Sequence, residues 1–373
     1  MAGRRVPIGN GLWAFIPDPL PPRIELSGPL VKLVAEASEA LGRLDGVGRN
    51  LPNPHLLVQP FISVEAVSSS RIEGTQASLQ DLYAAEAAPP LFPHERRNDV
   101  REVKNYIRAL EHGISRLQDL PISTRLLREM HRILLEGVRG QNRAPGELRP
   151  VQNWIGGPGP IEHAVYIPPP PQEVPRLMSE LERYIHGESP FPTLVDLALV
   201  HYQFEAIHPF LDGNGRIGRL LIVLMLLERG VLKQPLLYLS AYFERHQRRY
   251  YELLRRVSEE GAWEDWLLFF LTGVRDQASD ALSRAARLND LRERYRAQLQ
   301  AAQASPVQQA IADQLFVTPV FSLRQLEKET GYSFAALSRA VRELEAAGLI
   351  REITGQRRNR LFAAPEILAL LNP

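Results

Sequence analysis

Apolar residues recur at three- and four-residue intervals along most of the chain, a spacing that predicts helices. The first such run is Leu30 to Leu44. Val58 to Ala88 reads as two helices around Gly74, and Asn98 to Leu117 as another with Val100, Val103, Ile107 and Leu110 on one face. Ser123 to Leu135 continues the pattern, with Ser123 as a start signal and Gly137 as a stop. The texture changes at Gly140. Two short strand-like runs, Val151 to Ile155 and Ala164 to Ile167, flank a Gly/Pro-rich turn and predict a β-hairpin. Glu173 to His186, Thr193 to His208, Gly215 to Arg229, Phe243 to Ser258 and Trp263 to Leu299 then read as helices, with Gly230 and Gly261 as stops. From Ser305 the rhythm shortens. Val307 to Phe316, Ser322 to Glu329 and Ser333 to Ala347 predict three helices, and Leu349 to Phe362 holds two strand-like runs about Thr354-Gly355-Gln356. Three helices and a two-stranded ribbon describe a winged helix. The expected fold class is therefore mainly α: a helical core with a β-hairpin flap, plus a C-terminal winged helix-turn-helix domain. There is no internal repeat.

Composition narrows this picture. The chain has 373 residues, enough for two or three domains, with 45% hydrophobic and 23% charged residues, as in folded globular proteins. The 44 Lys and Arg against 43 Asp and Glu leave a net charge of +1, so any basic surface must be local. Zero cysteines exclude a disulfide framework, a zinc ribbon, an iron–sulfur site and thiol catalysis. The longest apolar run, Leu220 to Leu227, is too short to cross a bilayer, and no apolar stretch follows Arg4 and Arg5, so neither a membrane span nor a signal peptide is expected. The expected location is the cytoplasm. Proline, at 30 residues, clusters between Pro7 and Pro60, at Pro89 to Pro93, from Pro145 to Pro175 and at Pro190 to Pro192, and so marks segment boundaries.

The candidate chemistry is concentrated in His-Pro-Phe-Leu-Asp-Gly-Asn-Gly-Arg-Ile-Gly-Arg, residues 208–219, between one helix and the most apolar helix of the chain. Pro209 ends the first helix, and Gly213 and Gly215 let backbone approach a ligand. With Asn214 between them, the loop aims N–H groups at the positive end of the next helix, a natural phosphate site. Arg216 and Arg219, three residues apart, project from one side of its first turn and suit a di- or triphosphate. Asp212 supplies a hard oxygen for a phosphate-bound Mg²⁺. His208, whose ordinary pKa is near neutral, is placed to take a proton from an incoming hydroxyl. The inferred reaction is transfer of a phosphorus-containing group.

This stretch resembles the HPFxDGNGRxGR motif of the Fic family, whose members transfer AMP from ATP to a hydroxyl of a target protein. The likeness extends to the hairpin, to Tyr238-Leu-Ser-Ala-Tyr242 and to Trp263-Glu-Asp-Trp266, and covers Phe61 to Val274. It implies ATP and Mg²⁺ as cofactors, His208 as general base, Phe210 as core anchor and Asp212 as Mg²⁺ ligand. It makes Gly213, Asn214 and Gly215 the anion hole, with Arg216, Ile217, Gly218 and Arg219 completing the phosphate segment. Upstream, Ser69-Ser-Arg-Ile-Glu73-Gly74 is similar to the family's inhibitory pattern. The resemblance implies that Glu73, with Ser69 and Gly74, competes with phosphate for Arg219 and holds the enzyme off from within. It further implies a flap, with Gln152, Asn153, Trp154 and Ile155, that docks the target's Tyr, Thr or Ser beside His208. Tyr250 and Tyr251 fall where relatives surround adenine, and Ser258 replaces an adenine-contacting asparagine, a departure that bears on base selectivity.

The corresponding organisation is a region 1–118 with the inhibitory helix around 62–74, a catalytic core over 119–278, a linker helix over 279–304 and the winged helix over 305–373. In the last, Arg339 and Arg342 share a helix face and Arg351, Arg357, Arg358 and Arg360 lie on the ribbon, a local basic patch suited to DNA phosphates. Glu343 and Glu345 make a protein contact an equal alternative. Expected partners are ATP, a hydroxyl-bearing target protein and the chain itself. DNA and a second copy in a homodimer are further partners left open; a membrane is not expected. Two other functions stay open: removal of AMP, with Glu73 positioning water, and a DNA-binding regulator whose core senses nucleotide.

Overall fold

A computed structural model describes residues 1–50, 55–87, 94–157 and 159–372. The chain opens with an antiparallel hairpin that the helical spacing did not predict, β1 (Gly3–Gly9) and β2 (Leu12–Pro17). Its turn is Asn10-Gly11, both at positive φ (50° and 73°), the pair that a tight two-residue hairpin favours. Next come α1 (Gly28–Asn50), α2 (His55–Ile72), α3 (Leu79–Ala87), α4 (His94–Arg116) and α5 (Thr124–Leu134). The Ser123 hydroxyl caps α5 by accepting from the Leu126 N–H. The Pro89–Pro93 cluster, together with Pro54 and Ala88, lies outside the described residues.

The flap departs from expectation. Among its described residues it carries, in place of two strands, a single antiparallel bridge, Ile155 to Tyr166, around a short turn of helix at Ile161–His163. Gly156, Gly157 and Gly159 all take positive φ, so the backbone coils where a ladder would need extended residues. α6 (Val174–His186), α7 (Thr193–Ile207) and α8 (Asn214–Glu228) follow. The run expected as one helix from Phe243 to Ser258 is two, α9 (Ser240–Arg245) and α10 (Gln247–Glu260), because His246 leaves helical geometry at φ −115°. α9 packs on α2, and the break lets α10 turn onto α7 and the long α11 (Trp263–Ala301).

The core sits around α7 and α8. Every residue from Leu194 to Ile207 is buried, as is every residue from Arg216 to Leu226. A helix apolar on all sides is stable only when enclosed. α4 and α5 cover α8, α6 covers α7, and α1 lies along α11. Within this core Asp196 is fully paired, accepting from Tyr184, Ser189 and Arg229 at 2.6 to 2.8 Å.

The C-terminal part comprises α12 (Pro306–Gln314), β3 (Val320–Ser322), α13 (Leu323–Thr330), α14 (Phe334–Ala346), β4 (Arg351–Glu352), β5 (Leu361–Ala363) and α15 (Pro365–Leu371). Ser305, Ser322 and Ser333 cap α12, α13 and α14. The ribbon gains a third member, since β3 pairs with β5 in an antiparallel sheet of order β3-β5-β4. This part rests on α3, where Ser322 Oγ donates to the Ala87 carbonyl at 2.9 Å, and α15 packs on α11 and α2. Among the described residues no helix is long and apolar enough to cross a membrane.

Candidate active site

The site forms where α7 hands over to α8. His208 ends α7 in the left-handed region (φ 51°), and Gly213 takes the same region (φ 77°) as N-cap of α8. Asn214 ties the loop shut: its side-chain oxygen accepts from the Phe210 N–H at 2.8 Å and its amide donates to the Phe210 carbonyl at 2.9 Å. The amides of Asn214, Gly215 and Arg216 begin the helix and have no intrahelical acceptor, so they present the positive end of α8. Two residues expected in the phosphate segment are placed otherwise. The Ile217 side chain is fully buried and its N–H is spent on the Gly213 carbonyl at 3.1 Å. Gly218 stands inside the helix, its carbonyl facing His201 Nδ1 at 3.1 Å. Asn214 contributes its backbone, its side chain being committed to the loop.

Residues that sequence reasoning did not single out hold this loop in place. Arg149, buried, donates from Nε to the His208 carbonyl at 2.8 Å and from Nη2 to the Pro169 and Ile207 carbonyls. It thereby clamps the His208 turn to the exit of the flap. His131 receives the Gly146 N–H on Nδ1 at 2.8 Å, which puts its proton on Nε2, and this meets the Asp212 carbonyl at 2.9 Å. Its ring stacks on Phe210 at 3.9 Å. Burial lowers the His131 pKa to about 4, so it acts as a neutral brace.

His208 is also neutral. Burial lowers its pKa to about 4; the Arg149 cation adds to this, against the backbone hydrogen bond to Glu205. The Glu205 carbonyl, 3.3 Å from Nδ1, calls for the proton there and leaves Nε2 as an acceptor. Asp212, next in the loop, keeps one carboxylate oxygen on the Gly213 N–H at 2.6 Å and 3.6 Å from Arg216 Nη2. No group of three or more His, Asp or Glu side chains fit for a metal exists among the described residues. One carboxylate together with substrate phosphates is nonetheless the way Mg²⁺ is usually held, and Asp212 at about one-third exposure fits that part.

The two arginines of α8 are each 1% exposed and each meets a different carboxylate. Arg219 Nη2 donates to Glu73 Oε1 at 2.8 Å and to the Ser69 carbonyl at 3.0 Å, while its Nε donates to Ser69 Oγ at 2.8 Å. Glu73 follows directly on α2, where Gly74 takes φ 93°, and a Cβ on Gly215 would run into its carboxylate. The carboxylate thus lies against the start of α8. Burial raises its pKa, but Arg219, by charge and by hydrogen bond, with Arg216 and His208 behind it, outweighs burial and holds it below the ordinary carboxylate range. Arg216 instead faces Glu102 of α4 at 3.4 Å, and its Nε has no partner among the described residues. Glu102 also accepts from Thr75 at 3.2 Å and stands 3.6 Å from Arg139. Nothing in the local sequence around Glu102 or Arg139 marks them for this role.

A cavity of about 550 Å³ opens beside these groups. Glu73, Gly215, Arg219 and His208 line one part of it, and Tyr250, Tyr251, Leu254 and Ser258 of α10 another. Tyr250 is a core residue whose hydroxyl contacts His201 Nε2 at 2.8 Å, so of the two tyrosines it is Tyr251, 43% exposed, that offers a free aromatic face. Ser258 is bonded to the Tyr202 hydroxyl at 2.9 Å. Of the four flap residues, Trp154 and Ile155 face the cavity. Gln152 and Asn153 are anchors: Gln152 donates to the Pro168 carbonyl at 2.9 Å and Asn153 to the Phe210 carbonyl at 2.9 Å. Their side-chain donors are committed to the flap base, while the docking expected of this segment runs through its backbone edge. Far from the cavity, Arg339 is paired with Glu343 at 3.1 Å, Arg342 donates to the Ser338 carbonyl at 3.2 Å, Arg360 lies over the Phe362 ring at 5.3 Å, and Arg357 and Arg358 are exposed in the turn between β4 and β5.

Residues 31–115 match the family described as Fic/DOC family N-terminal, and residues 121–226 match the Fic/DOC family, together more than half of the chain. A probable protein adenylyltransferase of Aquifex aeolicus (strain VF5) is 36% identical over 99 residues, 26% of this chain and 28% of that protein. The protein adenylyltransferase Fic of Drosophila melanogaster is 32% identical over 151 residues, 39% of this chain and 27% of that protein. The chain thus spans just over a quarter of the length of these relatives. Among solved structures, a Fic family protein from Desulfovibrio desulfuricans G20 superimposes with a TM-score of 0.60 over 92% of this chain and 98% of that one, at 21% identity. Fic-1 of C. elegans does so with a TM-score of 0.54 over 70% and 75%, at 22% identity. At these identities the likeness is one of fold.

Proposed function

The chain belongs to the Fic/DOC family, and from that premise we propose that it is a protein adenylyltransferase, transferring AMP from ATP to a Tyr, Thr or Ser hydroxyl of a target protein and of itself, and restrained by its own Glu73. The observation that carries this reading is the meeting, in one cavity, of a neutral His208, the open amide end of α8 and an Arg219 already occupied by Glu73.

Each part has a chemical task. The amides at the start of α8 and the Arg219 guanidinium hold phosphate oxygens. His208 Nε2 takes the proton of the incoming hydroxyl as its oxygen attacks the α-phosphorus and pyrophosphate leaves. Mg²⁺, when bound through Asp212 and the phosphates, would neutralise charge on the leaving group. Glu73 opposes all of this. Its carboxylate takes an Arg219 N–H that phosphate would use and lies beside Gly215 where a phosphate oxygen would sit. Displacing it frees both places at once.

Incubation with α-labelled ATP and Mg²⁺ tests the reading. The Glu73→Gly protein is expected to label itself and to lose that label when His208→Ala is added. Absence of label from α-labelled ATP in Glu73→Gly overturns it. Because Glu73 and His208 line the same cavity, a second reaction is supported, release of AMP from a modified target with Glu73 positioning water. It predicts release by wild type and none by Glu73→Gly. The exposed Arg357 and Arg358, beside the helices and sheet of the C-terminal part, support a further role in binding DNA phosphates through a winged helix.

A further inference from the structure

Glu205 takes no part in the steps above, yet it is the least explained polar side chain of the cavity. It sits on α7 one turn before His208 and is 9% exposed. Its backbone carbonyl orients the His208 ring, the residue lines the cavity, and its Oε1, sealed against Gly218, lacks any partner among the described residues. A Cβ on Gly218 would run into that oxygen, so the glycine between the two arginines of α8 is what leaves room for it. The charged and titratable groups facing Glu205 are Arg219 of α8, Glu73 beyond α2, and Tyr250 and Tyr251 of α10. Glu205 therefore shares its part of the cavity with the arginine that faces phosphate and with the two tyrosines. On that same wall Arg219 Nη1 is likewise without a partner. A buried donor and a buried acceptor without partners, beside a cavity, leave hydrogen bonds for a small movement and a ligand to complete.

Resting on the nucleotide reading above, we propose that Glu205 is a specificity-determining residue that hydrogen-bonds a ribose hydroxyl and makes the site prefer a ribonucleotide to its deoxy form. The group between a triphosphate and a base is the sugar, and its hydroxyls both donate and accept. A protonated carboxyl group does the same. Burial pushes the Glu205 carboxyl up to about 8, with Arg219 pulling down and Glu73 pushing further up, so it is mostly neutral at pH 7 and places no extra charge beside the phosphates.

The experiment is calorimetric titration of Glu73→Gly with ATP, 2′-deoxy-ATP and 3′-deoxy-ATP, a binding readout independent of transfer. At least one deoxy analogue is expected to bind about tenfold more weakly than ATP, as loss of a buried hydrogen bond predicts. Adding Glu205→Ala brings the ratio to within about twofold, and Glu205→Gln keeps it, since an amide also donates and accepts. Gly218→Ala, which displaces the carboxyl group without removing it, also lowers the ratio and decides the matter if Glu205→Ala does not fold. Equal discrimination with and without Glu205, no discrimination by Glu73→Gly, or no binding of ATP at all overturns the proposal. Discrimination in binding without transfer of label supports it and removes the transferase reading.

Discussion

Arg216 and Arg219 lie in the buried first turns of α8, each 1% exposed, whereas Arg357 and Arg358 stand in solvent between β4 and β5. A guanidinium taken out of water persists only if carboxylates or carbonyls replace the lost hydration. Both buried arginines meet most of that demand, with Glu102 and Glu73 brought in by α4 and by the end of α2, though Arg216 Nε and Arg219 Nη1 have no partner among the described residues. The exposed pair needs no such arrangement and is screened by salt within about 8 to 10 Å. A ligand for α8 must therefore displace or share a carboxylate, while a polyanion meeting the C-terminal turn displaces only ions. Carboxylates already hold the arginines of one region, and solvent alone meets those of the other.

Breaking the buried side gives the largest effects. Replacing His208 by Ala in the Glu73→Gly background is expected to reduce self-labelling by on the order of a hundredfold or more, the usual worth of a general base. Glu73→Gly alone is expected to raise label transfer over wild type on the order of ten- to a hundredfold, since a hydrogen bond to a charged group is worth about 1.5 to 3 kcal/mol. Unchanged labelling would mean that the Glu73–Arg219 contact does not restrain the reaction. Glu102→Ala leaves a buried Arg216 with only Asp212, 3.6 Å from Nη2, and is expected to lower stability in urea by about 2 to 3 kcal/mol, with Glu102→Gln losing less.

Acid probes the same interior more gently. Burial lowers the pKa of His131 to about 4, of His201 to about 3 and of His208 to about 4, against about 6.5 unfolded. Between these values the unfolded chain binds more protons. Stability is therefore expected to fall as pH drops from about 6.5 toward 4, by up to about 1.4 kcal/mol per pH unit per histidine. Urea midpoints at pH 7 and pH 5 measure it, and equal midpoints would contradict neutral buried histidines. The smallest effect belongs to the exposed side. Alanine at both Arg357 and Arg358 is expected to leave the thermal midpoint in place, and to weaken duplex DNA binding at low salt while flattening its salt dependence by about 1 to 2 in slope. DNA affinity unchanged by the substitutions would detach the turn from that role.

Much of the architecture was legible because it is local. Helix after helix follows from apolar spacing and from caps such as Ser123, Ser305 and Gly261. The Asn10-Gly11 turn was equally present in the chain, but β1 and β2 carry prolines and arginines that blur their alternation. The flap erred the other way, its short apolar runs resembling strands although three glycines coil the chain between them. Within the site, Glu102, Arg139, Arg149, His131 and Glu205 went unmarked. Each is a single polar residue with no neighbouring signal, and such a residue in an amphipathic helix or a loop looks like solvated surface.

The sequence by itself determined the loop and the two helices it joins, since Gly213, Asn214 and the apolar runs on either side act on immediate neighbours. It also placed Arg216 and Arg219 three residues apart on one side of α8. Only the tertiary structure decided which carboxylate each would meet: Glu102, 114 residues away, for Arg216, and Glu73, 146 residues away, for Arg219. A turn or a cap is closed by adjacent residues, and its chemistry can be read off them. The pairing of distant charges follows from how helices bury their apolar faces, and many packings suit one pattern of faces until the whole core is assembled.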